Sequence, residues 1–135
     1  MVGMQSDQIV PIVTTPKLRE TRAFYLDLLG LQLSFDHDHY PGVRAGAKGA
    51  PELGFMKPDQ DSPDPFPGKG ITFAIRVVNA DRECERLRGL GVPILLPPTD
   101  MAWGSRAFLI QDPNGVMVFV SHPIPVAVEY QAFLR

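Results

Sequence analysis

The spacing of hydrophobic and polar positions predicts a strand, a helix and three further strands in the first half of the chain. Pro11 lies within the first β-branched run and indicates a strand end or an edge strand, because proline cannot donate to a β-ladder. Apolar side chains at helical spacing follow, with Thr15 as the expected N-cap and Gly30 as the stop. In the next strand, alternation places Leu33 and Phe35 on one face. The predicted ranges are strand 8–15, helix 17–29, strands 31–35, 40–45 and 52–56, and a polar connection over 36–41.

The same order of elements is predicted again in the second half. Residues 57–70 contain four prolines and no periodicity, which indicates a linker. A strand over 71–77, a helix over 79–90 and a strand over 92–96 follow it. Asn79 or Asp81 is expected at the start of that helix.

A β-hairpin completes the second half. The sequence Asp112-Pro113-Asn114-Gly115 places a suitable residue at each position of a tight turn, between strands at 106–110 and 116–121. Alternation gives the second strand two faces. The first face is uniformly aliphatic and is expected against a helix, whereas the second is mixed. The two sets are Val116, Val118 and Val120, and Met117, Phe119 and Ser121.

The two halves match each other at a constant separation of 61 residues. Each has a helix end, a glycine stop and the start of a strand. The matched sets are Leu26, Leu29, Gly30, Leu31 and Leu33, and Leu87, Leu90, Gly91, Val92 and Ile94. The alternative is that any two helix-to-strand junctions share leucine and glycine. We predict an α+β fold of two βαβββ modules, whose helix-free sheet faces form a common concave cavity.

Composition narrows the class of protein. With 135 residues, 44% hydrophobic and 21% charged, the chain suits one soluble globular domain. A net charge of −2 gives no basic surface for nucleic acid or anionic lipid. No apolar run approaches the about 20 residues of a membrane span, and the N-terminus lacks a secretory signal pattern. The single cysteine, Cys84, fits a reducing compartment, so a cytoplasmic location is expected.

Several motifs together resemble the vicinal oxygen chelate superfamily, which includes glyoxalases, extradiol dioxygenases and bleomycin resistance proteins. The motifs are Trp103-Gly104-x-Arg106-x-Phe108 with the 112–115 turn, Ala23-Phe24-Tyr25-x-x-Leu28-Leu29-Gly30-Leu31, and Val77-x-Asn79-Ala80-Asp81. The resemblance implies a module at about 8–57, a linker at 58–69, a second module at about 70–122 and a tail at 123–135. It also implies a homodimer, with modules exchanged or paired between subunits.

The resemblance also implies where metal ligands would lie in this sequence. Metal ligands of the family map near Val10 or Pro11, at Glu52, near Gly70 and at Phe119. Only Glu52 has a side chain that can coordinate a divalent ion, and such a site needs three or four donors. We therefore expect no metal and no cofactor, as in the metal-free resistance branch that Pro11-Ile12-Val13 resembles.

Candidate ligand-binding residues cluster around the hairpin. Trp103 offers a stacking face and Arg106 a planar donor fork, although the same residues would also suit a core cap and a surface ion pair. Met117 and Phe119 are expected to form an apolar ligand wall, with Thr72 leaving room beside them; ordinary core filling is the alternative.

Polar candidates lie in the first half. Glu52 is read as a buried cavity acid and possible general base, or else as a charge at a strand edge. His37 and His39 would share a strand face as a metal pair would, but a solvated strand end fits two histidines better. His39 and Tyr40 are expected at the pocket rim.

In the second half, His122 is expected to be exposed, and nothing marks Cys84 as a nucleophile.

The function expected is metal-independent binding of a small, partly apolar organic molecule in the funnel. One alternative is a metal-dependent lyase, isomerase or dioxygenase with atypical ligands such as Glu52, His37 or His39. Another is a metal-free isomerase or lyase with Glu52 as base. Fold alone does not decide among them.

Overall fold

Each half of the chain forms a four-stranded mixed sheet that is covered on one face by a helix. The computed structural model describes residues 3–135 and divides into two units, the first ending at Pro67 and the second spanning Gly68–Arg135. The first unit contains β1 (Ile12–Thr14), α1 (Leu18–Arg22) with a π-helical continuation (Ala23–Leu28), β2 (Gln32–His37), β3 (Tyr40–Arg44) and β4 (Glu52–Met56). The second contains β5 (Thr72–Arg76), α2 (Ala80–Gly89), β6 (Leu96–Met101), β7 (Ser105–Gln111), β8 (Met117–Pro123) and α3 (Val128–Gln131).

The two sheets have the same topology. The strand orders are β1-β4-β3-β2 and β5-β8-β7-β6. In each sheet the first strand runs parallel to its neighbour and the other pairs are antiparallel. The prediction of an α+β fold with two βαβββ modules is confirmed.

In the first unit, one sheet face packs against the helix to form a core. Val13, Val43 and Phe55 are each at most 3% exposed, and register places them on one face. Phe24 and Tyr25 from the helix are also buried, and the rings of Tyr25 and Phe55 lie 4.9 Å apart. Burial of each such side chain stabilises the fold by about 1.5–3 kcal/mol.

The second unit repeats this arrangement. Helix α2 buries Ala80, Cys84 and Leu87, which share one face because they are spaced by four and three residues. The sheet supplies the expected aliphatic face, with Val118 and Val120 at most 3% exposed. Further buried members are Phe108, Ile110 and Val116.

The predicted turn at 112–115 is confirmed. Asp112 is 5% exposed, and its Oδ1 accepts hydrogen bonds from the amides of Asn114 and Val116, each at 2.8 Å. Gly115 has φ +92°, and a Cβ there would meet the carbonyl oxygen of Gly68 at 2.6 Å. Glycine is therefore required at this position for both reasons.

The prediction that Leu33 and Phe35 share a face is wrong. The β2–β3 register shifts between these residues, so Leu33 pairs with Val43 whereas Phe35 pairs with Gly42. A β-bulge inserts one residue, Ser34, and so turns the following side chain to the other face.

Three predicted boundaries also need correction. The polar connection over 36–41 is a hairpin, because β2 extends to His37 and β3 begins at Tyr40. The strand expected at 92–96 begins only at Leu96 and runs through two prolines, which an edge strand with a bulge accommodates. Thr15 is not the N-cap, although its Oγ1 accepts a hydrogen bond from the Lys17 amide at 2.9 Å.

Other expectations hold. Strand β1 begins immediately after Pro11 and lies at the edge of its sheet. Asn79 caps α2, because its side chain accepts a hydrogen bond from the Arg82 amide. No helix or strand occurs between β4 and β5, where the linker was predicted.

Candidate functional site

In each unit, the sheet face that points away from the unit's own helix is here called the distal face. In the first unit, register places Phe35, Gly42 and Gly54 in one row across this face. His37 and Tyr40 form the neighbouring row on β2 and β3. Neither glycine has a side chain, and neighbouring side chains enter the space above them: Ser34 Oγ lies 2.6 Å from where a Cβ on Gly42 would be.

Tyr40 occupies part of this space. Its hydroxyl lies where a Cβ on Gly54 would be, and its Cε2 is 2.9 Å from that position. Burial raises the pKa of Tyr40, and the negative charge of Glu52 raises it further. The Tyr40 hydroxyl and the Glu52 carboxylate are therefore close enough to interact electrostatically.

Three rings form a cluster on this face. Phe35 lies 6.0 Å from Tyr40, with the ring planes at 70°, and 6.5 Å from His37 in a stacked arrangement. Phe35 is 57% exposed, so its ring is accessible from solvent. Phe35 was not among the predicted site residues, because only the bulge brings it to this face.

Glu52 and Arg44 are cross-strand partners beside the cluster. Arg44 turns toward β2, where its Nη1 donates to the Leu33 carbonyl at 3.2 Å. Its Nε and the Ser34 hydroxyl are buried without a hydrogen-bond partner. Glu52 is half-buried and lies on the distal face.

The two histidines do not form the strand pair considered from the sequence. His39 lies in the turn between β2 and β3, and its amide donates to His37 Nδ1 at 3.1 Å. The two rings meet edge-on at 5.5 Å. Within residues 3–135, no group of three or more histidine, cysteine, aspartate or glutamate side chains is arranged to hold a metal ion.

The second unit has a more apolar distal face. Met117 and Phe119 are half-buried and lie opposite the valine face, as the alternation predicts. Register sets Thr72 beside Met117 and Ala74 beside Phe119, and both small residues are exposed. Met117, Phe119 and Thr72 therefore share a surface, as expected.

Arg106 does not share that surface. Register places it beside Asp100. Because Arg106 is two residues before Phe108 on β7, both side chains lie on the helix side of the sheet. Its Nε and Nη2 donate to Asp81 at 2.9 Å and its Nη1 to Asp100 at 2.8 Å. The hydrogen bond from Arg106 lowers the pKa of Asp81, and its two carboxylate partners raise the pKa of Arg106. The structure thus shows the ion-pair alternative for this residue.

Trp103 is also apart from Met117 and Phe119. It lies in the turn between β6 and β7, is 55% exposed and contacts the ring of Tyr130 edge-on at 6.5 Å. The strand that follows this turn begins at Ser105, which pairs with Pro123 of β8. Pro123 is four residues from Phe119, a separation of about 13 Å along the strand. The grouping of Trp103 with Met117 and Phe119 in one ligand site stays a prediction.

The first part of the tail packs against the turn between β6 and β7 of its own unit. The Ile124 amide donates to the Gly104 carbonyl at 2.9 Å, and the Ala127 amide to the Ala102 carbonyl at 2.8 Å. A Cβ on Gly104 would meet Val126 at 2.7 Å. Glycine at position 104 of the Trp-Gly motif therefore leaves the space that the tail occupies.

Two further side chains have structural roles. His122 was expected to be exposed, but it is half-buried and its Nδ1 accepts a hydrogen bond from the Ala80 amide at 2.8 Å. It thereby satisfies a free amide at the start of α2. Cys84 is 1% exposed, and burial raises the pKa of its thiol, which agrees with the expectation that it is not a nucleophile.

A groove of about 410 Å³ lies elsewhere in the first unit. Asp7, Gln8, Ile9, Gly49 and Pro51 line it. It contains none of the predicted site residues and no aromatic ring, so it offers less for ligand recognition than the distal face.

Comparison with known proteins gives the family. The model of the glyoxalase/bleomycin resistance protein/dioxygenase superfamily matches residues 6–120. The chain belongs to this superfamily. The resemblance drawn from the Trp-Gly and Asp-Pro-Asn-Gly motifs is confirmed. No curated protein matches the chain at a significant level.

Solved structures of the superfamily share the fold. A glyoxalase/bleomycin resistance protein/dioxygenase from Nocardioides has a TM-score of 0.71 at 19% identity, with 92% of this chain and 87% of that chain covered. TnmS3, an antibiotic binding protein from Streptomyces sp. CB03234, has a TM-score of 0.69 at 24% identity, with 90% and 99% covered. A superfamily member from Sphaerobacter thermophilus has a TM-score of 0.69 at 22% identity, with 87% and 98% covered. Within residues 3–135, no helix is long and apolar enough to cross a membrane.

Proposed function

We propose that this superfamily member binds a small, partly apolar organic molecule on the distal faces of its sheets, without a metal ion. The exposed ring cluster on the first unit carries this proposal. Phe35 is more than half exposed, and it lies in one row with two glycines. Aromatic walls, space and a few polar groups are the usual components of a small-molecule site.

The distal face of the second unit supports the same function. Met117 and Phe119 give a half-buried apolar surface, and Thr72 and Ala74 beside them are small. TnmS3, an antibiotic binding protein, has the same fold. We extend binding of an organic molecule to this chain on the strength of its own ring cluster.

A thermal-shift screen with a library of small aromatic compounds tests the proposal. Compounds that bind the folded state raise the midpoint of unfolding. Phe35→Ala should abolish the shift given by the best compounds. Val78→Ala, which shortens a 97% exposed apolar side chain in the second unit, is the control and should retain it. Shifts that survive Phe35→Ala would place binding elsewhere.

Metal independence rests on the side chains at the family's ligand positions. Val10, Gly70 and Phe119 cannot coordinate a divalent ion, which leaves Glu52 alone among the mapped positions. Elemental analysis of the purified protein should find no stoichiometric iron, manganese, zinc or nickel. About one such ion per chain, removable with loss of an activity, would contradict this part of the proposal.

A metal-free isomerase or lyase is the second candidate, and the proximity of Glu52 to Tyr40 favours it. A carboxylate beside a tyrosine hydroxyl can exchange protons with a bound substrate. If a substrate is found, Glu52→Gln should abolish turnover while binding persists. Equal turnover in both proteins would remove this candidate.

We further propose a homodimer in the cytoplasm. The observation behind the dimer is apolar surface on the second unit, where Val128, Phe133 and Leu134 are at least 60% exposed although the tail is packed. Light scattering at micromolar concentration should give about twice the 14.9 kDa chain mass. A monomeric mass would contradict the dimer.

A further inference from the structure

We propose that the distal face of the first unit recognises an organic cation, an ammonium group carried on a small aromatic or alkyl body. Glu52 supplies the counter-charge, and Phe35 and Tyr40 supply the aromatic walls. This inference rests on the proposed function and specifies the charge of the ligand.

The first step concerns the carboxylate. Glu52 is half-buried, and none of the ion pairs or side-chain hydrogen bonds among residues 3–135 involves it. A bound cation would supply the partner that this carboxylate lacks. Asp81, by comparison, is also half-buried and has an arginine partner.

The second step concerns the nearest cation, Arg44. It stands directly across from Glu52 in the β3–β4 ladder and would be the obvious partner. Its guanidinium instead donates to the Leu33 carbonyl on the opposite strand, away from Glu52. The carboxylate therefore remains available on the side where Tyr40 lies.

The third step concerns the rings. Phe35 and Tyr40 meet at 70° with their centroids 6.0 Å apart, so they form a corner. Aromatic faces attract cations, and corners of two or three rings recognise quaternary ammonium groups. Tyr40 also lies near enough to Glu52 for its pKa to respond to that charge. Rings and carboxylate therefore belong to one surface.

The fourth step accounts for the other charged groups on the first unit's sheet. Asp36 turns to the helix side, where Arg22 donates to its Oδ1 at 2.7 Å. His37 stacks on Phe35, and its Nδ1 already accepts a hydrogen bond from His39. Arg44 is also on the distal face and has no acidic partner, but its Nε is buried and its Nη1 is held by the Leu33 carbonyl. Glu52 is the carboxylate of that face that no ion pair or side-chain hydrogen bond engages within the described residues, and it is the group that would attract a cation.

The test uses three ring compounds of similar size and different charge: benzyltrimethylammonium, neutral benzyl alcohol and anionic phenylacetate. Binding is followed by the amide signals of Gly42 and Gly54 in ¹⁵N-¹H correlation spectra, because these glycines lie in one row with Phe35. We expect the cation to bind at least about fivefold more tightly than phenylacetate, given the usual strength of cation–aromatic contacts. Glu52→Gln should lower the affinity for the cation by about fivefold and leave the affinity for benzyl alcohol unchanged.

Two variants serve as controls. Glu129→Gln removes an exposed carboxylate from the second unit and should leave all three affinities unchanged. Phe35→Leu should weaken binding of the cation more than binding of benzyl alcohol, because leucine keeps the apolar contact but lacks the aromatic face that attracts a cation. The correlation spectrum of each variant verifies its fold.

The outcomes separate this inference from the proposed function. Equal or tighter binding of phenylacetate at the two glycines, or no binding of the cation, overturns the cation inference. Binding of benzyl alcohol or phenylacetate at those amides would still uphold a small-molecule site there. An equal effect of Glu52→Gln on cation and alcohol also overturns the inference, because it would indicate a structural role for the carboxylate.

Discussion

Gly54→Ala tests the position of Tyr40 most sharply. The new methyl group would overlap the Tyr40 hydroxyl and lie 2.9 Å from its Cε2. These atoms are the far end of a side chain on the distal face, so the ring can swing away without disturbing the core. Overpacking typically costs about 1–3 kcal/mol, and we expect the lower end of this range here. Replacing glycine within a strand returns about 0.5–1 kcal/mol.

The net change in the free energy of unfolding should therefore be below about 1 kcal/mol, which is about 0.5 M in the urea midpoint. Tyr40, in contrast, should lose its buried position beside Glu52. Because burial and the charge of Glu52 both raise the pKa of Tyr40, that pKa should fall toward its ordinary value in the variant. Small loss of stability with a clear fall in pKa is the expected combination.

The assay is a pH titration of ¹³C-labelled tyrosine, with Tyr40→Phe to assign the signal among the three tyrosines. Wild-type stability should fall as pH rises from about 10 toward the raised pKa, because only the unfolded state ionises readily in that range. Gly54→Ala should show a shallower fall. Gly89→Ala is the control, since nothing lies within 4 Å of a Cβ there. It should stabilise α2 by up to about 1 kcal/mol and leave the Tyr40 pKa unchanged.

An unchanged Tyr40 pKa in Gly54→Ala would refute the placement of the ring over Gly54. A loss of more than about 3 kcal/mol would show that the ring cannot move aside, contrary to its position on the distal face.

Three further predictions concern the second unit. Asp81→Asn should flatten the loss of stability as pH falls below about 4, because the hydrogen bond from its arginine partner lowers the folded-state pKa of Asp81; equal acid profiles by urea denaturation would contradict this. Leu87→Ala should cost about 2–5 kcal/mol in chemical denaturation, since Leu87 is 1% exposed, whereas Leu90→Ala, at 54% exposure, should cost under about 0.5 kcal/mol. Tyr130→Ala should shift the emission of Trp103, the only tryptophan, and an unchanged spectrum would show that the tail does not contact the turn.

The fold was predictable because its signals are local. Alternating valines, a proline-asparagine-glycine turn and glycine stops after helices each act over a few residues, and each half repeats them. Strand β6 was missed because Pro97 and Pro98 argue against a strand, and only its edge position makes them acceptable.

The candidate site was less predictable because it depends on register. Sequence alternation places Phe35 with Leu33, and one bulge at Ser34 reverses this. For Arg106, the motif suggested contact with a ligand. In the structure its guanidinium instead forms an ion pair with Asp81, which lies on the helix that packs against the sheet. Glycines within strands, Gly42 and Gly54, were the available signal for close approach of another group.

The most direct test of a ligand surface on the distal face is a ¹⁵N-¹H correlation map recorded with a mixed set of aromatic fragments. The account predicts the largest shifts at the amides of Gly42, Gly54 and Phe35, with saturable dependence on fragment concentration. Shifts confined to Asp7 and neighbouring residues of the 410 Å³ groove would contradict it, because they would place the binding surface away from the ring cluster.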